Sequence, residues 1–495
     1  MKKLIAVACA AVSAAVLAET PESQGVSSRA ILSWIDACEK ELDAVHGFVL
    51  RRHGKVIAEG SWAPYDTLNR THMLYSHSKS FTSAAVGFLV DEGKVDLDER
   101  VLALFPDKAP ANPSENLRQL RVRDLLTMNV GAKHTDAERD DANGDWEKAF
   151  LANLIDDPPG TKFRYDSGAT YMLSAIVERK SGLKTMDFLK QRLFDPIGIE
   201  KAWSTTSPSG TACGGWGMNM TTRELAKFGQ LCLNGGVWEG KRLLSSEWIA
   251  LATSRQTWSG AIGVANEDGS DWHQGYGFQF WRCCPEGAYR ADGANGQLTV
   301  VMTRQDAVLS VHAGLGNMQQ ELSLVWKHLL PAMASEPLAE DPQAVAALQA
   351  KCKSLTLRTV AGVRDGAEPF VGRTFETGEK RVKTLTLADA PEGWSLAVET
   401  AAGQYRLPIG FGQWRAGEIA VDAEPHEPLG RFSGRNPLAV AASGAVLPNG
   451  TFRVDAWFTD GPHRLQLDFV QTNGVAKASG RIFGLGGCPI KGVAK

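Results

Sequence analysis

Near residue 335 the chain changes texture, and no other feature narrows the possible folds as far. Up to that point helix-period and strand-period stretches alternate; beyond it only short strand patterns separated by turn signals occur. One layered core cannot use both textures, so two domains of different class are expected. In the first region Ile31, Leu32, Ile35, Cys38 and Leu42 recur at helical spacing after Ser28. Strand patterns at 47–51 and 55–58 flank His53-Gly54 in the manner of a hairpin. Residues 81–90 are apolar and small, as in a buried helix, and Gly93 ends them. Further helices are expected at 222–233 and 246–254, then strands at 277–282, 287–291, 297–303 and 308–312, and a closing helix at 318–330.

The stretch 334–343, rich in Ala, Pro and acidic residues, reads as a linker into a short helix at 344–352. Strand candidates then follow at 382–387, 394–399, 405–408, 452–458, 464–469 and 475–483, separated by turns such as Asn449-Gly450. That spacing predicts an antiparallel barrel or sandwich. The expected division is 19–335 for the first domain, 336–365 for the linker and 366–495 for an all-β domain.

Residues 1–18 form a separate unit. Lys2 and Lys3 precede an apolar run from Leu4 to Leu17, and Val16-Leu17-Ala18 supplies a tolerated cleavage site. This is the pattern of a secretory signal peptide, so a periplasmic or secreted protein is expected. No later window carries the roughly 20 apolar residues of a membrane-spanning helix. Fifty-three Lys+Arg against 56 Asp+Glu give a net charge of −3 with no long basic run, which excludes nucleic-acid binding by counterion release. Beyond the leader stand seven cysteines: Cys38, Cys213, Cys232, Cys283, Cys284, Cys352 and Cys488. An odd number leaves at least one thiol free or linked to another chain, and the adjacent Cys283-Cys284 are badly placed to bridge each other. No CxxC pair or HExxH points to zinc.

Ser-x-x-Lys occurs at Ser76–Lys79 and at Ser181–Lys184, about what chance allows in such a chain. Context separates the two. Gly182 ends the helix after Ser181, so Lys184 leaves its face, whereas Ser76 opens a helix on which Lys79 lies one turn along. A serine hydroxyl needs a base to become a nucleophile, and a lysine serves only if burial or the helix N-terminus disfavours its ammonium form. A second element, Phe163-Arg164-Tyr165-Asp166-Ser167-Gly168, displays a phenol on a loop before an apolar helix; such a group can act as base or acid. A third, Ala291-Asp292-Gly293-Ala294-Asn295-Gly296-Gln297, enters a strand, where a glycine lets substrate approach the backbone.

Ser76-His77-Ser78-Lys79, Tyr165-Asp166-Ser167 and Asp292-Gly293, in this order, resemble the three motifs of penicillin-recognising serine hydrolases. The likeness is to the class C β-lactamase-like branch, with its D-aminopeptidases, carboxylesterases and nylon-oligomer hydrolases. Supporting stretches are Arg123-Asp124-Leu125-Leu126-Thr127-Met128, Asp195-Pro196-Ile197-Gly198, Gly214-Gly215-Trp216-Gly217 and Tyr276-Gly277-Phe278-Gln279-Phe280-Trp281. The resemblance covers residues 20–335 and implies an α+β fold: an antiparallel sheet flanked by helices, a helical lobe, and the active site between them. It further implies an acyl-enzyme on Ser76, with Lys79 as proton acceptor and Tyr165 sharing the relay. Ser167 would bond Lys79 or substrate, Gly293 would let substrate approach, and the Ser76 and Ala294 amides would form an oxyanion hole. No metal or organic cofactor is implied.

Two departures bear on substrate. Relatives begin the third motif with Lys or His, where Ala291 stands, and often carry Asn at the place of Ser167. Both disfavour β-lactams, which need the basic residue for their carboxylate, and favour small esters or amides. A catalytically silent sensor on the same fold, and a D-amino-acid peptidase or carboxypeptidase acting on cell-wall peptides, are the alternative readings. No Gly-x-Ser-x-Gly elbow is present, and the ten histidines read as scattered, with His77 lining the cleft mouth or packing. The run 140–145 hints at calcium but has Trp146 and Ala152 where such a loop needs glycine and a carboxylate.

Overall fold

The computed structural model describes residues 19–132, 144–260, 269–377, 382–400, 403–420, 437–483 and 490–494. The leader, residues 140–143 of the acidic run and Cys488 lie outside them.

The first domain is built on a six-stranded antiparallel sheet. Helix α1 (Ser28–Glu41) buries Ile31, Trp34, Ile35 and Cys38 on one stripe, as their spacing requires. Strands β1 (Val45–Arg52) and β2 (Lys55–Ser61) form the hairpin, with His53 and Gly54 both in the left-handed region at its turn. Strands β3 (Trp281–Arg282), β4 (Ala288–Gly293), β5 (Gln297–Met302) and β6 (Ala307–Ala313) complete it, in spatial order β2-β1-β6-β5-β4-β3. Alternation divides the sheet between two cores. Leu298, Val300 and Met302 pack with α1, while Val301 and Val308 face α2 (Ser78–Asp91), α3 (Ser167–Ser181) and α4 (Thr222–Leu233). Gly229 lets α4 lie close on the sheet: a Cβ there would stand 2.6 Å from methyls of Thr299 and Val308.

Two first-domain expectations change. Of the strand expected at 277–282 only Trp281–Arg282 forms, because Gln279 turns through φ +68°. Its side chain bonds the Leu125 and Leu126 carbonyls and Thr170, tying the helical lobe together. The helix expected at 318–330 is α-helical only over Met318–Leu324, widens to a π turn at Val325–Leu329, and closes in a 3₁₀ turn at Leu330–Ala332.

Helix α5 (Pro342–Lys353) follows, and Leu348, Leu355 and Leu357 are buried in the core beneath α1. The linker is thus packed, not slack. The remaining strands are β7 (Thr374–Glu376), β8 (Val382–Ala390), β9 (Gly393–Thr400), β10 (Gln404–Gly410), β11 (Arg415–Ile419), β12 (Leu438–Val446), β13 (Phe452–Phe458), β14 (Arg464–Thr472), β15 (Val475–Phe483) and β16 (Ile490–Ala494). Nine of them close into an antiparallel barrel, the ring shut by a parallel contact of Ile409 and Gly410 with Ala442 and Ser443, and β11 pairs with β12 outside it. Phe375, Trp394, Phe452 and Phe469 fill the interior.

No disulfide joins Cys38, Cys213, Cys232, Cys283, Cys284 and Cys352. No described helix is long and apolar enough to cross a membrane.

Candidate active site

Ser76 lies where the short strand His72–Met73 passes through a single 3₁₀ turn, Tyr75–His77, into α2. The turn is tight because Tyr75 adopts φ +50°, which costs a side-chain-bearing residue about 1–2 kcal/mol. Ser78 braces it: its hydroxyl donates to the Tyr75 carbonyl at 2.7 Å and accepts from the Met218 amide at 3.1 Å. Leu74 donates its amide to Met218 at 2.9 Å. Ser76 is half-buried.

Lys79, one turn along α2, is 1% exposed. Its Nζ stands 3.1 Å from Ser76 Oγ, 3.0 Å from Ser167 Oγ and 2.7 Å from the Gly215 carbonyl. These acceptors are neutral oxygens, each drawn from a different segment. The Gly215 carbonyl can come this close because the Gly214-Gly215 bend lies against the start of α3: a Cβ on Gly215 would stand 2.9 Å from the Ser167 carbonyl.

Tyr165 ends the loop before α3, whose N-cap Asp166 accepts from the Gly168 amide. Its ring lies under Lys79 Nζ at 4.8 Å from the centroid. Trp281 stacks on it at 5.5 Å. Burial raises the Tyr165 pKa above that of an ordinary phenol; the neighbouring Ser76 opposes this and Asp292 adds to it. The phenol is therefore protonated at neutral pH.

Gly293, the last residue of β4, lies against the turn that carries Ser76. A Cβ there would be 2.0 Å from the Leu74 carbonyl and 3.0 Å from the His77 amide nitrogen, so only glycine fits. Ala294 follows on the exposed turn into β5. Thus Ser76, Lys79, Tyr165 and Ser167 come together in one set of contacts, and Gly293 brings Ala294 to its edge. The second Ser-x-x-Lys takes no part: Ser181 bonds back to Val177, and Lys184 pairs with Glu178.

Sequence reasoning missed several neighbours. Ala291 is buried against the helical core, and the charges of this strand are Arg290 and Asp292, paired at 2.7 Å. Arg290 is enclosed, lying over the Trp272 ring at 4.4 Å. Burial pushes the Asp292 carboxyl up to about 6 although Arg290 pulls it back.

The histidines are not scattered. His46, His72, His77 and His312 are fully buried; His46 Nδ1 lies 3.0 Å from His72 Nε2, and His72 stacks on His312 at 4.5 Å. Burial pushes all four pKa values down, to about 3 for His72 and His77. His77 packs edge-on to Phe81 instead of lining the cleft mouth. Among the described residues no group of three or more His, Cys, Asp or Glu is placed to hold a metal ion.

A family profile described as Beta-lactamase matches residues 35–320, more than half of the chain. The chain belongs to the beta-lactamase family. The 6-aminohexanoate-dimer hydrolase of Paenarthrobacter ureafaciens is 28% identical over 251 residues, 46% of this chain and 63% of that protein. Penicillin-binding protein 4 of Amycolatopsis lactamdurans is 28% identical over 254 residues, 45% of this chain and 65% of its own length. The chain therefore spans a little under two thirds of these relatives. A solved structure from Bacillus anthracis, titled as a 6-aminohexanoate-dimer hydrolase, superposes with a TM-score of 0.52 at 21% identity over 62% of this chain and 83% of that one, a likeness of fold. With this membership the protein has a β-lactamase-like fold and carries a C-terminal β-barrel.

Proposed function

We propose that the protein is an exported hydrolase that cleaves a small ester or amide through an acyl-enzyme on Ser76. One observation carries this reading: the enclosed Lys79 amine lies 3.1 Å from the Ser76 hydroxyl, with the Tyr165 ring beneath it at 4.8 Å from the centroid. Because burial keeps Tyr165 protonated, Lys79 in its neutral form takes the serine proton as the hydroxyl attacks the carbonyl carbon. Tyr165 then hands its proton to the leaving alcohol or amine, and the proton that Lys79 took from the serine passes to Tyr165, leaving Ser76 acylated. In deacylation the same pair withdraws a proton from water. Ser167 orients the lysine at 3.0 Å, and the Ser76 and Ala294 amides receive the oxyanion.

The third strand bears on substrate. Ala291 offers no cation, and Arg290 is enclosed and committed to Asp292. This strand therefore leaves no uncommitted cation to receive a substrate carboxylate. Short acyl esters and small amides are thus favoured over β-lactams; the name of the Paenarthrobacter relative supports an amide. Faster turnover of a chromogenic cephalosporin than of p-nitrophenyl acetate or butyrate would contradict this preference. Export is supported by Lys2 and Lys3 ahead of the apolar run 4–17.

The deciding experiment is intact-mass analysis of the protein after a fluorophosphonate probe. Wild type should gain one probe mass; Ser76→Ala and Lys79→Ala should gain none, and Ser181→Ala should label like wild type. Labelling of Ser76→Ala would move the nucleophile elsewhere. The same spectrum reads export, since a processed protein would begin at Glu19.

A further inference from the structure

The barrel reaches the nucleophile from behind. Its loop 459–463, between β13 and β14, inserts beside the segment leading to Ser76. There the Asp460 carbonyl accepts the Met73 amide at 3.0 Å, and the Gly461 carbonyl accepts the Tyr65 hydroxyl at 3.1 Å. Met73 and Tyr75 are buried in the barrel core together with Phe458 and not in either core of their own domain. Tyr75, directly before Ser76, stands edge-on to His463 at 5.6 Å. Its hydroxyl lies 2.5 Å from His463 Nε2.

The proton positions follow from the partners. His463 Nδ1 lies 3.0 Å from the Phe483 carbonyl, which can only accept, so Nδ1 carries the hydrogen. In the neutral ring Nε2 is then an acceptor, and the Tyr75 hydroxyl donates to it. A bulky residue at φ +50° persists only where its surroundings fix it. Here the side chain is held at its tip by His463 and the backbone by Ser78. Rotation about this one residue would swing the Ser76 hydroxyl away from Lys79 and Tyr165.

We propose that the barrel positions the nucleophile: His463, through its hydrogen bond to the Tyr75 hydroxyl, holds the turn that aims Ser76, making His463 and Tyr75 positioning residues for acylation. This rests on Ser76 being the acylated residue.

The test compares wild type with Tyr75→Phe, His463→Ala, His463→Gln and the Tyr75→Phe/His463→Ala double variant, all in the full-length protein. The readouts are the second-order rate of fluorophosphonate labelling, kcat and KM for a p-nitrophenyl ester, and the melting temperature. Both the phenylalanine and alanine variants should label at least about tenfold more slowly, with KM within about twofold, since misplacement of a reacting group falls on the chemical step. The double variant should be no slower than the worse single one, because both lose the same bond. His463→Gln, whose amide oxygen can accept from Tyr75, should recover part of the rate. Wild-type rates in Tyr75→Phe, or losses that multiply in the double variant, would overturn the proposal while leaving Ser76 as nucleophile. If His463→Ala does not fold, the isosteric Tyr75→Phe decides alone. Failure of wild type to label at Ser76 overturns the nucleophile assignment, and the clamp with it.

Discussion

His77 follows Ser76 directly yet is fully buried, and neither ring nitrogen has a hydrogen-bond partner among the described residues. Burial holds its pKa at about 3, against about 6.5 in an unfolded chain. A depressed folded value contributes stability that is complete above the unfolded value and lost as pH falls toward the folded one. The loss runs from about pH 6.5 to pH 3, at roughly 1.4 kcal/mol per unit. Substitution of His77 by leucine removes both the unsatisfied polar atoms and this acid sensitivity. His77→Leu should melt well above wild type at pH 5, and the gap should narrow by pH 8; parallel melting curves across that range would refute the assignment. At this scale the sequence carried the chemically loaded side chains. Ser76, Lys79, Tyr165 and Ser167 were recognisable because each stands in a short local pattern. The Gly215 carbonyl, Trp281, the Arg290–Asp292 pair and His463 were not, since their roles come from partners far away in the chain.

Elements were legible wherever periodicity was undivided. The helix expected at 222–233 forms with those bounds, and the hairpin forms about His53-Gly54. Strand β12 was missed because its sequence, LAVAASGAV, is rich in Ala and Gly and nearly all buried, leaving no alternation to read. The segment 277–282 misled for the opposite reason: a strand-like composition is overridden by the polar contacts of Gln279. The end of β4 makes the sharpest demand. Gly293→Ala places a methyl 2.0 Å from the Leu74 carbonyl, so the strand must withdraw from the nucleophile turn. Fluorophosphonate labelling should fall by roughly a hundredfold, as displacement of about an ångström at a reacting centre can do. Labelling within about twofold of wild type would show that the two elements are not in register as described.

At the scale of the whole molecule the two domains were foreseen, but their coupling was not. Leu348, Leu355 and Leu357 from the linker, and Trp457 from β13, share one core with α1 and β1. A shared apolar core makes separate melting costly. Calorimetry should therefore show one transition, and two resolved peaks would count against that core. The barrel itself has a seam. Its ring is shut by only two residue pairs, Ile409–Ala442 and Gly410–Ser443, against seven for the neighbouring β12–β13 ladder. Among the described residues the β7–β16 junction, Phe375–Ala494 and Glu376–Val493, is as thin, so a wall that parts short of full unfolding has two places to do so. Margins exposed at either join would be ready-made templates for another copy, and these joins set how long the protein survives concentrated and warm without clumping.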